Sequence, residues 1–301
     1  MSIQVNAISK LYATQKALNN VSFNVGGNEI VGFLGPNGAG KSTMMKILTC
    51  YIPPTEGTAK VCGFDIVNES LEVRKQIGYL PEHNPLYLDM YVKEFLEFVG
   101  GIYKLKNLKS RVKEMIDMTG LQLEQTKKIG ALSKGYRQRV GLAQAIIHDP
   151  KVLIMDEPTT GLDPNQLEEI RNLIKALGKE KTVMLSTHIM QEVEAICDRV
   201  IIINKGEIVA NDDTKNLQKN TTQQIITVEF DKPVLEKLLR SIATIEQVIF
   251  LKENTWQLST TSKEDVRKDI FNFAVANNLS VLTLNKEERK METIFKELTK
   301  K

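Results

Sequence analysis

At 301 residues, 42% of them hydrophobic and 26% charged, the chain is long enough for a full core and for more than one domain. The 40 basic and 37 acidic residues leave a net charge of +3, so no global field draws it to nucleic acid or to an anionic membrane, and no nucleic-acid partner is expected. Cys50, Cys62 and Cys197 are odd in number, widely spaced and outside any metal-ligand pattern, which excludes a disulfide framework, fits a reducing cytosol and leaves them as small buried apolar residues. Met1-Ser2-Ile3-Gln4-Val5 has no basic segment leading into an apolar one, and no run of about 18 apolar residues occurs, so the chain is expected neither to enter nor to span a bilayer by itself.

The most informative stretch comes early. The apolar run Glu29–Leu34 reads as a strand, Met44–Leu48 as a helix, and between them stand Gly35, Pro36, Asn37, Gly38, Ala39, Gly40, Lys41, Ser42 and Thr43. A strand, a glycine loop of spacing G-x-x-x-x-G-K-[ST] and a helix converge backbone N–H groups on nucleotide phosphates, with the helix N-terminus adding positive field. Gly35, Gly38 and Gly40 allow the backbone to close on the anion. Lys41 neutralises phosphate charge, Ser42 offers a hydroxyl to Mg²⁺, and Thr43 extends the donor set.

Residues 84 to 149 are rich in helical pattern, with Val112, Met115 and Ile116 on one face, and read as a helical subdomain inserted in the sheet. Lys151–Met155 is a buried strand ending in Asp156-Glu157, and two adjacent carboxylates at such an end require a cation or a solvent-lined site. Asp156 is placed to hold Mg²⁺ through its water shell, and Glu157, pointing the other way along the pleat, to accept a proton from an attacking water. His188 follows the strand Thr182–Ser186, again at a carboxyl end, where open α/β sheets place their ligands. His83 and His148 read as solvated or structural. Val200–Asn204 and Glu207–Ala210 form a hairpin through Lys205-Gly206. The alternation of β-branched runs and helices to about residue 220 predicts a mostly parallel sheet covered by helices.

The polar stretch Asn211–Thr222 marks a boundary. Beyond it the pattern is strand (Gln224–Phe230), helix (Pro233–Ile242), strands (Ile245–Leu251, Thr255–Thr260), helix (Lys263–Asn277) and strand (Leu279–Leu284), a small α+β unit over 221–301. Met291, Ile294, Phe295 and Leu298 share one face of a last helix.

The glycine loop at 35–43, Leu132-Ser133-Lys134-Gly135-Tyr136-Arg137-Gln138-Arg139, the strand end Asp156-Glu157, Gly161-Leu162-Asp163-Pro164 and His188 together resemble the ATP-binding subunit of an ABC transporter, over about residues 1 to 220. The nearer resemblance is to drug-exporter-like ATPases, and the wording of Ile77–Tyr87 and Leu132–Arg139 is similar to the gliding-motility ATP-binding subunits. The resemblance implies an α/β P-loop NTPase cassette with a mostly parallel sheet and a helical subdomain, followed by the small α+β domain. It implies an ATP hydrolase that closes as a homodimer around two ATP and Mg²⁺, at the cytoplasmic face of a membrane, and drives integral membrane permease subunits. By the same resemblance Tyr12 stacks on adenine, and Ser133 and Gly135 contact the γ-phosphate held by the other subunit. Asp163 joins a loop crossing the dimer, and His188 holds the γ-phosphate and helps fix Glu157 and water.

Two departures stand out. Lys134 and Tyr136 replace residues of the usual Leu-Ser-Gly-Gly-Gln signature, and Glu82 stands where the loop contacting Mg²⁺ usually carries Gln. A soluble ATPase acting on DNA or ribosomes shares the cassette. Against it, no heptad array separates Gly35 from Ser133, and the chain holds one cassette where the ribosome-acting relatives carry two.

Overall fold

The computed structural model describes residues 1–219, 224–262, 264–287, 292, 295 and 299, and divides into two units, Met1–Thr214 and Lys215–Lys301. The first opens with an antiparallel sheet that the sequence reading did not contain. Strands β1 (Ile3–Tyr12) and β2 (Gln15–Val25) form a hairpin, and β1 also pairs with β4 (Glu56–Val61) across a long connection, Ile3 opposite Val61. A short β5 (Phe64–Asp65) completes the order β2-β1-β4-β5. Register shifts along β1 break the strict alternation of buried and exposed positions, which is why a period-of-two search passes over it.

Between those strands the chain makes β3 (Ile30–Leu34) and α1 (Lys41–Leu48). It then continues as α2 (Ser70–Gln76), β6 (Ile77–Leu80), α3 (Val92–Ile102), α4 (Leu108–Met118), α5 (Lys134–Ile146), β7 (Val152–Asp156), α6 (Pro164–Gly178), β8 (Thr182–Thr187), α7 (Met190–Ile196), β9 (Arg199–Asn204) and β10 (Glu207–Asp213). The second sheet runs β10-β9-β3-β8-β7-β6, parallel throughout except for the β9–β10 hairpin. Every residue of β3, β7 and β8 is buried, as expected for parallel strands covered on both faces, whereas β10 at the edge alternates. The helices α3, α4 and α5 lie between β6 and β7 in the chain, and α4 buries Val112, Met115 and Ile116.

The two sheets share one core. Phe23 of β2 meets Phe33 of β3 with ring centroids 5.7 Å apart, and Met44, Met45, Ile47 and Leu48 of α1 fill the space beside them. Of the cysteines only Cys197 is buried; Cys50 and Cys62 are half-buried, which corrects the expectation of three buried thiols.

The second unit follows α8 (Thr214–Lys219) with β11 (Gln224–Phe230), α9 (Glu236–Leu239), β12 (Gln247–Lys252), β13 (Thr255–Thr260), α10 (Arg267–Ala276) and β14 (Val281–Glu287). Its strands are antiparallel in the order β12-β13-β11-β14, over a core that includes Ile226, Val228, Phe230, Trp256, Leu258 and Ile270. The helix expected over 233–242 is a single turn. Of the face Met291, Ile294, Phe295 and Leu298, all but the buried Phe295 lie outside the described residues. Among the described residues no helix is long and apolar enough to cross a membrane.

Candidate nucleotide site

Leu34 ends β3 beside Thr187, the last residue of β8, and the Gly35 N–H donates to Thr187 O at 3.3 Å as the chain turns away. Close packing then demands glycine. A Cβ on Gly35 would stand 2.5 Å from Ile203 O, and one on Gly40, whose φ is 108°, would stand 2.5 Å from Ala17 O. The loop is thus pressed against the sheet, and α1 begins with N–H groups facing the turn. Lys41 is buried there, its ammonium donating to Gly35 O at 2.8 Å and Pro36 O at 3.3 Å.

The register of β7 on β8 brings the carboxylates to the same end, with Asp156 opposite Ser186. Ser42 donates its hydroxyl to Asp156 Oδ1 at 3.2 Å, and Ser186 donates to the same oxygen. Glu157 leaves the strand in a left-handed conformation, φ 50°, held by its N–H to Ser186 O at 3.1 Å and Oγ at 3.2 Å. The turn separates the two carboxylates. Glu157 Oε1 faces the Lys41 ammonium at 3.6 Å, while Oε2 lies 2.9 Å from His188 Nδ1 and accepts from the Thr160 hydroxyl at 3.3 Å. Burial, with the Asp156 carboxylate nearby, raises the pKa of the Tyr79 phenol on β6.

Among the described residues no three His, Cys, Asp or Glu converge as metal ligands. What the site offers a cation is the hydroxyl of Ser42 and the carboxylate of Asp156. Two hard oxygens suit Mg²⁺, which keeps much of its water shell and completes it with phosphate oxygens.

Gly35–Thr43, Asp156, Glu157 and His188 therefore meet, and Thr160 and Ser186 join them. Sequence reading missed these last two: a hydroxyl near a strand end is a common pattern, and only the β7–β8 register and the turn at Glu157 make it specific. The remaining predicted residues stand elsewhere in this chain. Tyr12 is exposed at the end of β1 with the Lys10 ammonium 5.5 Å from its ring centre. Glu82, in the loop after β6, is 4.0 Å from His83 Nδ1. Ser133 caps α5, accepting from the Tyr136 N–H at 3.4 Å, and Asp163 caps α6, accepting from Asn165 and Gln166. Gly135 is buried against Gln166 of α6, where a Cβ would meet the amide at 2.1 Å. Gln138 donates to Pro158 O at 2.9 Å, and Arg139 pairs with Glu169, so α5 is tied to the segment that follows Glu157. The departing residues have partners too: the Tyr136 ring lies 5.6 Å from the Arg139 guanidinium, and Lys134 lies against Gly161.

The family model described as ABC transporter matches residues 18–160. The linearmycin resistance ATP-binding protein LnrL of Bacillus subtilis is 32% identical over 99% of this chain and 98% of its own length. The chain belongs to the ABC transporter family. It is an ATP-binding subunit of that family and an ATP hydrolase. This ATPase is also 36% identical to the bacitracin transport ATP-binding protein BcrA of Bacillus licheniformis, over 74% of this chain and 73% of that one. A solved dimeric bacterial ABC transporter cassette matches it at TM-score 0.65 and 29% identity, covering 70% of this chain and 98% of that chain. A post-hydrolysis form of such a dimer, bound to ADP and Pi, matches with the same TM-score of 0.65 at 28% identity. The two solved cassettes cover 70% of the chain, while the likeness to LnrL runs nearly end to end.

Proposed function

We propose that this subunit closes as a homodimer around two ATP and Mg²⁺, hydrolyses them, and thereby drives integral membrane permease subunits that work as an exporter. The observation that carries the reading is Glu157, a buried carboxylate set between the Lys41 ammonium and the His188 imidazole at the mouth of a phosphate loop. In the reaction, water attacks the γ-phosphorus, the bond to the β-bridging oxygen breaks, ADP and phosphate form, and Glu157 takes the water's proton. His188 and Thr160 orient that carboxylate, and Lys41 with the loop N–H groups receives the phosphate charge. Ser42 and Asp156 would hold Mg²⁺, which supplies neutralisation of the transferring phosphoryl group. Tyr12 offers the adenine a ring face, and the Glu82 carboxylate would serve the metal through its water shell.

Closure follows from differential contact. Ser133 and Gly135 reach the γ-phosphate held by the other copy, with Asp163 at the crossing loop, so ATP favours the closed pair and its hydrolysis removes that preference. The similarity to the dimeric cassette supports this. Tyr87, Leu88, Tyr91, Phe98 and Ile102 of the helical subdomain form an exposed apolar group suited to a membrane subunit, which would hold this ATPase at the cytoplasmic face. The names of LnrL and BcrA support export, and a gliding-motility role rests on the wording of residues 77–87 and 132–139 alone.

Size exclusion of Glu157→Gln with ATP and Mg²⁺ tests the scheme. A stable dimer is expected, and a monomer at saturating nucleotide overturns it. Purification from detergent-solubilised membrane should bring down a membrane-embedded partner, whereas bound DNA or ribosomes would favour the soluble reading.

A further inference from the structure

Glu192 on α7 is completely buried. A carboxylate in such a place costs far more than an apolar residue of the same volume unless its oxygens are satisfied. Among the described residues it has no ion-pair partner. Two hydroxyls satisfy it instead. One carboxylate oxygen accepts from Thr159, and the other accepts from Thr187 at 2.6 Å.

The positions of those threonines give the contact its meaning. Thr187 immediately precedes His188, and its hydroxyl also accepts the Ile189 N–H at 3.0 Å, so one oxygen fixes the residues on both sides of the histidine. Thr159 lies two residues after Glu157, and its neighbour Thr160 donates its hydroxyl to Glu157 Oε2 at 3.3 Å and its N–H to Glu157 O, also at 3.3 Å. The Glu192 carboxylate therefore joins the loop that carries Glu157 to the turn that carries His188, behind the 2.9 Å contact those two side chains make in front. Two loops at the ends of adjacent strands could otherwise shift independently, and a displacement of about 1 Å at a reacting group can cost roughly 10²-fold in rate.

We propose that Glu192 is a positioning residue for hydrolysis, which by tying Thr159 to Thr187 holds Glu157 and His188 at working distance. The inference rests on the reading of Glu157 and His188 as the hydrolytic pair. The tie needs a polar group at both ends: glutamine keeps it, its oxygen accepting from one threonine and its N–H donating to the hydroxyl of the other, whereas leucine of similar volume breaks both contacts.

The test is steady-state ATP hydrolysis by the full chain, with affinity for a fluorescent ATP analogue measured in parallel. For Glu192→Leu and for Thr187→Val we expect kcat to fall about tenfold or more, with KM for ATP and analogue affinity unchanged within about twofold. Thr187→Ser keeps the hydroxyl and should keep wild-type turnover. Wild-type kcat in Glu192→Leu overturns the proposal, as does a loss of kcat that goes with an equal loss of ATP affinity, the mark of a merely structural role. His188→Ala separates the two levels of the argument. If it is slow while Glu192→Leu is not, this inference alone fails; if it turns over as wild type, the assignment of the pair fails and this inference with it.

Discussion

The Nζ of Lys41 stands 3.6 Å from Glu157 Oε1, and both side chains are buried. The lysine of the glycine loop and the carboxylate after β7 are therefore an electrostatic pair. Removing either one leaves the other with a charge that the surroundings must absorb.

Glu157→Gln separates binding from turnover. The amide keeps the shape and a contact to His188 but cannot take a proton, so hydrolysis should fall by about 10²- to 10⁴-fold. Lys41 then has only carbonyl partners to leave when phosphate arrives, so ATP affinity should stay at or above wild type by equilibrium dialysis.

Lys41→Ala should abolish measurable ATP binding and also destabilise the first unit. Glu157 is left with His188 and Thr160, and losing one member of a buried pair costs about 3 kcal/mol. Urea unfolding checks this, and the double variant Lys41→Ala, Glu157→Gln should recover much of the loss. Strict additivity would show that the two charges do not interact.

Ser42→Ala removes one of the two oxygens offered to Mg²⁺ while leaving the loop backbone intact. Titration of hydrolysis against Mg²⁺ should require about tenfold more metal, the cost of a hydrogen-bonded or ligating hydroxyl. Chelation should stop hydrolysis in the wild type and leave nucleotide binding measurable.

Two glycines should respond in opposite senses. A Cβ at Gly78 on β6 would lie 2.2 Å from Ala145 O of α5, which is backbone and cannot swing away. Gly78→Ala should cost about 1–3 kcal/mol by overpacking. Gly101, inside α3, has nothing within 4 Å of its added Cβ, and Gly101→Ala should stabilise by about 0.5–1 kcal/mol. Urea midpoints of the two variants should move in opposite directions from wild type.

His148 stacks on Tyr103, ring centroids 4.0 Å apart, and its Nε2 lies 3.0 Å from Ile77 O. Burial lowers its pKa from the ordinary value of 6.5. The unfolded chain thus binds this proton more readily than the folded one, so stability falls as pH drops below about 6.5, until the folded value is also passed. His148→Phe keeps a ring on Tyr103 and removes the titration. Its stability curve between about pH 7 and pH 5.5 should be flatter than that of the wild type, and equal slopes would exclude His148 as a source of acid sensitivity.

What the sequence determined by itself is local. The phosphate loop is nine consecutive residues whose glycines, lysine and hydroxyls show their spacing within a single window of sequence, and Asp156-Glu157 and His188 announce themselves by ending apolar runs. The C-terminal strands were legible for the same reason, since each carries its own alternation or turn. The antiparallel sheet was not, because β1 finds β4 through a pairing that no window of sequence contains and carries register shifts that blur its period. Nor could spacing show that Ser186 meets Asp156, that Lys41 pairs with Glu157, or that Glu192 joins Thr159 to Thr187. A buried carboxylate on a short helix reads in the chain as one more acidic residue on a helical face. Only the packing of α7 against β8, beside the loop that follows β7, which removes water and leaves two hydroxyls in reach, gives it a role.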